Sequence, residues 1–228
     1  DLPAPSRGPD STDAVGFIIE TARANPGVTL VPVGPLTNIA LALRAAPDLA
    51  DHVAGISLMG GGTFGNRTPA AEFNIWADPE AAAAVYSSGV PVTMAGLDVT
   101  HQFLLVHDRI DQVAALPGRL AAALADLFRF FTDNYVSRYE GIAGAALHDP
   151  LAVLAVTHPD LFERSRRHVT VETRGEHTVG MTVIDRRRIK DHAAENCDVL
   201  ERVDADAAWA LVLDAIRLAS DRATDPRT

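Results

Sequence analysis

An α/β fold, with a mostly parallel sheet flanked by helices and a late antiparallel hairpin, is what this 228-residue chain predicts. Three observations carry that expectation. Short apolar runs alternate with helix-period stripes through the first two thirds of the chain. Two polar–apolar alternating runs, Val169/Val171 and Val179/Met181/Val183, flank Arg174-Gly175 as a hairpin would. The composition, 47% hydrophobic with 6% aromatic residues, suits many helix–sheet contacts and excludes disorder.

The elements follow in order. Asp1 to Pro9 is loop-like, with three prolines and a glycine. Asp10-Ser11-Thr12-Asp13 precedes the helical stripe Val15, Ile18, Ile19 and Ala22, so its aspartates read as an N-cap and a first-turn acid rather than a metal site. Asn25-Pro26-Gly27 ends that helix, Val28 to Val33 reads as a buried strand, and Gly34-Pro35 leads into a helix through Ala40, Leu41 and Leu43. Val53 to Met59 is the next strand and runs into Gly60-Gly61-Gly62. Asp78-Pro79-Glu80 starts a helix with proline at its first position, and Pro91 to Ala95 is a strand. A long helix is expected around Leu120, Leu124, Leu127 and Phe131, another from Pro150, and a closing one from Val203 to Leu218. The basic runs Arg164 to Arg167 and Arg186 to Lys190 read as solvated turns. There is no internal repeat and no linker, so residues 1–228 form one domain.

Charge and cysteine content narrow the function. With 30 acidic against 20 basic residues the net charge is −10, which repels nucleic-acid backbones and anionic lipid. No apolar run is long enough for a membrane span. Cys197 is the sole cysteine, which excludes a disulfide framework and a multi-thiolate metal site and fits a reducing, cytoplasmic setting.

Ligands of open α/β sheets bind outside the carboxyl ends of the strands. The loops there are 34–38, 60–74 and 96–102. The second holds Asn66, Glu72 and Asn74, a set of neutral donors and one strong acceptor that suits a polyhydroxylated ligand such as a sugar. The same side chains could equally brace the loop by bonding its own backbone. His148-Asp149-Pro150 is the other candidate: a carboxylate able to bind a hard cation beside an imidazole able to face substrate. His101, His107 and His158 stand isolated, without zinc spacing, and read as structural.

These segments carry a resemblance. Val31-Pro32-Val33-Gly34-Pro35-Leu36-Thr37-Asn38, Leu58-Met59-Gly60-Gly61-Gly62, Gly65-Asn66 with Thr68-Pro69, Ala71-Glu72-Phe73-Asn74-Ile75, Ala77-Asp78-Pro79-Glu80-Ala81, Leu97-Asp98-Val99-Thr100-His101 and Leu147-His148-Asp149-Pro150 together resemble the inosine/uridine-preferring nucleoside hydrolases. The motifs occur in family order and cover nearly the whole chain. The resemblance implies a Rossmann-like fold that hydrolyses the N-glycosidic bond of ribonucleosides with one bound calcium ion, in purine or pyrimidine salvage. It implies that Asn66, Glu72 and Asn74 grip the ribose, that Met59 lines its pocket, and that Asp149 contacts both the ribose diol and calcium. The Val33 carbonyl would be a second calcium ligand, and His148 the acid for the leaving base, tilting preference toward pyrimidine or mixed substrates. Tyr135 and Tyr139 would lie on the helix facing the base. Family members are dimers or tetramers, so the intact protein is expected to be a homo-oligomer.

One family feature has no match: the aspartate cluster Asp-x-Asp-Pro-Gly-x-Asp-Asp after the first strand, which supplies most calcium carboxylates and the general base. The chain is therefore expected to be a nucleoside hydrolase domain incomplete at its N-terminus and inactive alone. Its strands at 28–33 and 53–59 are expected to lack a partner and to be aggregation-prone. Two alternatives stand beside this: a catalytically inactive ribose- or nucleoside-binding module, and a carbohydrate hydrolase using Glu72 and Asp149 as its carboxylate pair.

Overall fold

In the computed structural model, which describes residues 7–189, 191 and 193–224, helices and strands alternate much as the apolar periodicities imply. The order begins α1 (Ala14–Ala24), β1 (Val28–Leu30), α2 (Thr37–Ala45), α3 (Leu49–His52), β2 (Val53–Met59), α4 (Phe73–Ala77), α5 (Pro79–Tyr86) and β3 (Val92–Ala95). It continues with α6 (Leu97–Thr100), β4 (Leu104–Leu105), α7 (His107–Ala114), α8 (Arg119–Val136), β5 (Ala145–Ala146) and α9 (Asp149–Thr157). After a 3₁₀ turn at Pro159–Leu161 come β6 (Phe162–Arg167), β7 (Val169–Val171), β8 (Thr182–Ile184), β9 (Cys197–Val203) and α10 (Ala205–Thr224).

Capping explains several starts. Asp13 accepts the Gly16 N–H at the head of α1, and Asp78 accepts the Ala81 N–H at the head of α5 with Pro79 behind it. Asp10 instead forms an exposed ion pair with Arg7 at 3.6 Å. Part of the expected leading loop, residues 1–6, lies outside the described residues.

The main sheet has the order β1-β2-β3-β9-β6. The pairs β1–β2, β2–β3 and β3–β9 are parallel, and β6 runs antiparallel to β9. Helices cover both faces. Ile56 and Leu58 of β2 join Leu36, Ile39, Val85 and Met94 in one core; Met59 and Ala95 join Leu97, Phe103, Leu151 and Leu200 in the other. Between them Ser57 donates its hydroxyl to the Ala152 carbonyl on α9 at 2.7 Å, which satisfies a buried polar group facing that helix.

The sheet corrects four expectations. Arg164–Arg167 is not a turn but the body of β6, whose outward side chains reach water; Arg166 pairs with Asp198 across the ladder at 3.3 Å. The hairpin β7–β8 forms as expected but is a separate two-stranded sheet, so the antiparallel strand of the main sheet is β6. Strand β9 was hidden in sequence: Cys-Asp-Val-Leu-Glu-Arg-Val puts adjacent Val199 and Leu200 into opposite cores, so it lacks simple alternation. Finally, β2 does not lack a partner. It is paired on both sides, and β1, shorter than expected because it ends at Leu30 before Pro32, is the edge strand. Of the second basic run, 186–189 lies outside any strand, with Arg187 held by Asp185 at 2.7 Å; Lys190 lies outside the described residues. No helix among the described residues is long and apolar enough to cross a membrane.

Candidate active site

The carboxyl ends of β1, β2 and β3 open onto one edge of the sheet, where the sequence-marked loops meet. Strand β2 exits through Gly60-Gly61-Gly62. Gly61 has φ +77°, and a Cβ there would sit 2.7 Å from Thr182 Cγ2, so glycine is required on both counts. Side chains from elsewhere hold this turn. The Gly61 N–H donates to Glu72 at 3.0 Å, Thr182 bonds both the N–H and the carbonyl of Gly62, and the Thr63 N–H donates to Asp98 at 2.8 Å.

Glu72 is buried and extended in backbone, the N-cap of α4. Its carboxylate accepts the N–H groups of Asn74 and Ile75 as well as that of Gly61. Burial raises its pKa, opposed by those backbone donors. Asn66 accepts the Phe73 N–H at 2.9 Å, and Asn74 donates to the carbonyl and sulfur of Met59, each at 3.2 Å. The loop is therefore braced by its own Asn and Glu side chains. Polar capacity remains: Asn66 Nδ2 and Asn74 Oδ1 have no hydrogen-bond partner among the described residues. The sealed, unpartnered side-chain atoms there are Tyr86 Oη and Ser220 Oγ, so Asn74 Oδ1 keeps access to solvent.

The second corner lies at the head of α9. His148 Nδ1 is 2.7 Å from the hydroxyl of Thr100, which is fully buried on α6. Around the ring stand His101 at 5.8 Å and Tyr135 at 6.5 Å between centroids. Tyr135 stacks on Tyr139 at 4.6 Å, and its hydroxyl is 3.4 Å from His101 Nε2. Burial, with a smaller push from His101, lowers the His148 pKa to about 4, so the ring is uncharged at neutral pH. Burial likewise lowers His101 against the pull of Asp98, and raises the Tyr135 hydroxyl to about 12. His101 is thus not isolated, contrary to the expectation from spacing. Its position in the loop directly after β3 was the available signal, and the same holds for Thr100. His107 remains peripheral, exposed and 3.8 Å from Asp133; His158 caps the end of α9.

The two corners touch. Phe64, from the loop after β2, packs edge-on against His101 at 5.2 Å. On the other flank the Met59 N–H donates to the Pro32 carbonyl, so Val33 stands beside the Met59–Asn74 contact. Val33 and Asp149 line one cavity of about 550 Å³ with Leu124, Val153, Leu211 and Ile216, and Asp149 is its one charged lining residue. Partial burial raises the pKa of Asp149. Met59, Asn66, Glu72, Asn74, Asp149, His148 and Val33 thus gather along one edge of the sheet.

This chain matches the family described as inosine-uridine preferring nucleoside hydrolase over residues 1–210. The chain belongs to that family. Among relatives, the pyrimidine-specific ribonucleoside hydrolase RihA of Shewanella woodyi is 44% identical over 205 residues, covering 89% of this chain and 65% of the relative. RihA of Shigella boydii is 41% identical over 219 residues, covering 95% of this chain and 70% of the relative. Among solved structures, a purine-preferring ribonucleoside hydrolase from Gardnerella vaginalis superposes with a TM-score of 0.89 at 35% identity, covering 96% of this nucleoside hydrolase chain and 70% of that one. The plant nucleoside hydrolase PpNRh1 gives 0.85 at 27% identity, covering 93% and 69%. The chain spans about two thirds of the length of these relatives.

Calcium takes roughly six to eight oxygen ligands. The candidate donors are the Asp149 carboxylate and the Val33 carbonyl beside a largely apolar cavity, and no group of three or more His, Cys, Asp or Glu among the described residues could hold a metal. These residues alone do not fit the ion, and no step below is routed through it.

Proposed function

We propose that this chain carries the sugar-holding and leaving-group sides of a ribonucleoside hydrolase site, acting on pyrimidine nucleosides. The observation that carries the reading is the junction through Phe64 and His101: an imidazole with an unengaged Nε2 stands in an aromatic corner beside a loop with free amide groups. Aromatic faces and a single donor suit a nucleobase; free amide groups suit ribose hydroxyls.

In the proposed reaction the C1′–N bond breaks with its electron pair going to the base, a water oxygen bonds to C1′, and the proton that this water loses reaches the base through solvent, so that ribose and neutral base leave. Positive charge builds on the sugar and negative charge on the base. Asn66 Nδ2 and Asn74 Oδ1 orient the ribose, with Met59 packed behind them. The remaining lone pair of Glu72 and the Asp149 carboxylate favour the cationic sugar. Uncharged His148 enters as a hydrogen-bond donor to the negative charge developing on the departing base, a role worth about 10²–10³-fold. A metal at Asp149 and Val33 would need further ligands from outside this donor set. The carbohydrate-hydrolase alternative suffers because Glu72 is already engaged by three backbone donors.

The test measures, on the intact protein, ribose release from uridine, cytidine and inosine, with and without added calcium, alongside calorimetric binding of ribose and of each nucleoside. Release faster from uridine than inosine, and abolished by His148→Ala, supports the proposal. Tight metal-independent binding without release, by the wild type, favours the binding-module reading instead.

A further inference from the structure

The loop after β3 supplies a residue whose chemistry bears on which nitrogen of His148 carries the proton. Thr100 is fully buried, and its hydroxyl lies 2.7 Å from His148 Nδ1, reaching across 48 residues of sequence. A hydroxyl donates one hydrogen and accepts others. Among the described residues Thr100 Oγ1 has no other hydrogen-bond partner, and its backbone N–H is already engaged with the Gly96 carbonyl. Two arrangements are conceivable. Were Nδ1–H to donate to Thr100, the hydroxyl hydrogen would be buried with no acceptor. If the hydroxyl donates to Nδ1, both groups of this contact are satisfied. Nδ1 then bears the lone pair and Nε2 bears the hydrogen.

We propose that Thr100 is a positioning residue that holds His148 as its Nε2–H tautomer by donating its hydroxyl to Nδ1. Nε2 has no hydrogen-bond partner among the described residues, so the hydrogen is kept on the nitrogen left free for a ligand. The helix α6 is well placed for this. It is anchored to the loop after β2 through Asp98 and Thr63, and its next residue, His101, packs against the His148 ring. The hydrogen-bond assignment stands by itself, while its catalytic consequence rests on the leaving-group role proposed above.

The decisive measurement is long-range ¹H–¹⁵N correlation on the chain with ¹⁵N-labelled histidine, at neutral pH. His148→Gln identifies the resonance. The expected result is a His148 ring with protonated Nε2 and bare Nδ1. Thr100→Val, which keeps the shape and removes the hydroxyl, should give a mixture of tautomers or a shifted Nδ1, and Thr100→Ser should restore the original pattern. A wild-type ring protonated on Nδ1, or a Thr100→Val spectrum identical to wild type, overturns the assignment. The wild-type spectrum needs no variant to fold. Kinetics then separate the two layers. If Nε2–H matters to leaving-group departure, Thr100→Val lowers kcat on uridine by roughly tenfold with KM little changed, rescued by Thr100→Ser. An Nε2–H ring in a chain that binds but does not cleave nucleosides leaves the assignment intact and removes the functional reading.

Discussion

The Glu72 loop and the His148 corner hold similar chemical groups in opposite conditions. In the loop, a carboxylate and two amides are mostly engaged: Glu72 takes three backbone N–H groups, Asn66 takes one, and Asn74 gives its amide to Met59. In the corner, the His148 side chain has a single hydrogen bond, through Nδ1, and Asp149 lines a cavity. The same family motif can therefore mark a residue that builds the site and one that is left free to act in it. Stability should respond to the first region and turnover to the second.

The sharpest break of this comparison is His148→Ala. It should lower turnover of uridine by about 10²–10³-fold while sparing a nitrophenyl riboside, whose leaving group needs no help. Equal losses on both substrates would take His148 out of the leaving-group role. The melting temperature should fall less than for Glu72→Ala, because losing the His148 side chain strands one buried hydroxyl, that of Thr100, rather than three backbone donors.

Glu72→Ala should do the reverse. It strands the N–H groups of Gly61, Asn74 and Ile75, and a buried unsatisfied donor costs about 1–3 kcal/mol. A denaturant-midpoint loss equivalent to about 3 kcal/mol or more is expected, against a smaller one for Glu72→Gln, which keeps one acceptor oxygen. A stable Glu72→Ala variant that merely binds ribose poorly would make Glu72 a ligand-gripping residue instead. Thr182→Val is the milder version. Losing the two bonds to Gly62 should cost about 1–2 kcal/mol, checked by the same titration.

The fold was legible where an apolar run is continuous or a cap is unambiguous: Val53 to Met59 and Asp78-Pro79 each have one reading. In α8 the helix was legible but its buried face was not, because Leu127 and Phe131 of the expected stripe are exposed while Ala121, Ala125 and Thr132 are buried. It was hidden in β9, which feeds both cores, and in β6, where arginines with solvent-facing heads imitate a turn. The candidate site was legible as motifs but not as roles. Nothing in the spacing of Glu72 tells a ligand contact from an N-cap, because both need an acceptor at a helix start. Thr100 and His101 escaped because their partners, His148 and Tyr135, are more than thirty residues away and become neighbours through the fold alone.

The smallest effect concerns pH and is carried by Glu72 as well. Burial raises its folded pKa above the ordinary 4.5, even though the backbone N–H groups of Asn74, Gly61, Ile75 and Phe73 pull the other way. The folded chain then holds this proton more tightly than the unfolded chain does. Its contribution to stability is full below the unfolded value and is lost as pH rises through the raised folded value. Glu72→Gln is uncharged throughout and removes that dependence. The denaturant midpoint of wild type relative to Glu72→Gln should therefore fall as pH climbs from about 4 toward neutrality. An opposite slope would mean that the backbone donors outweigh burial. The loop would then be an anion cradle, with its ionised carboxylate a net source of stability rather than a tolerated cost.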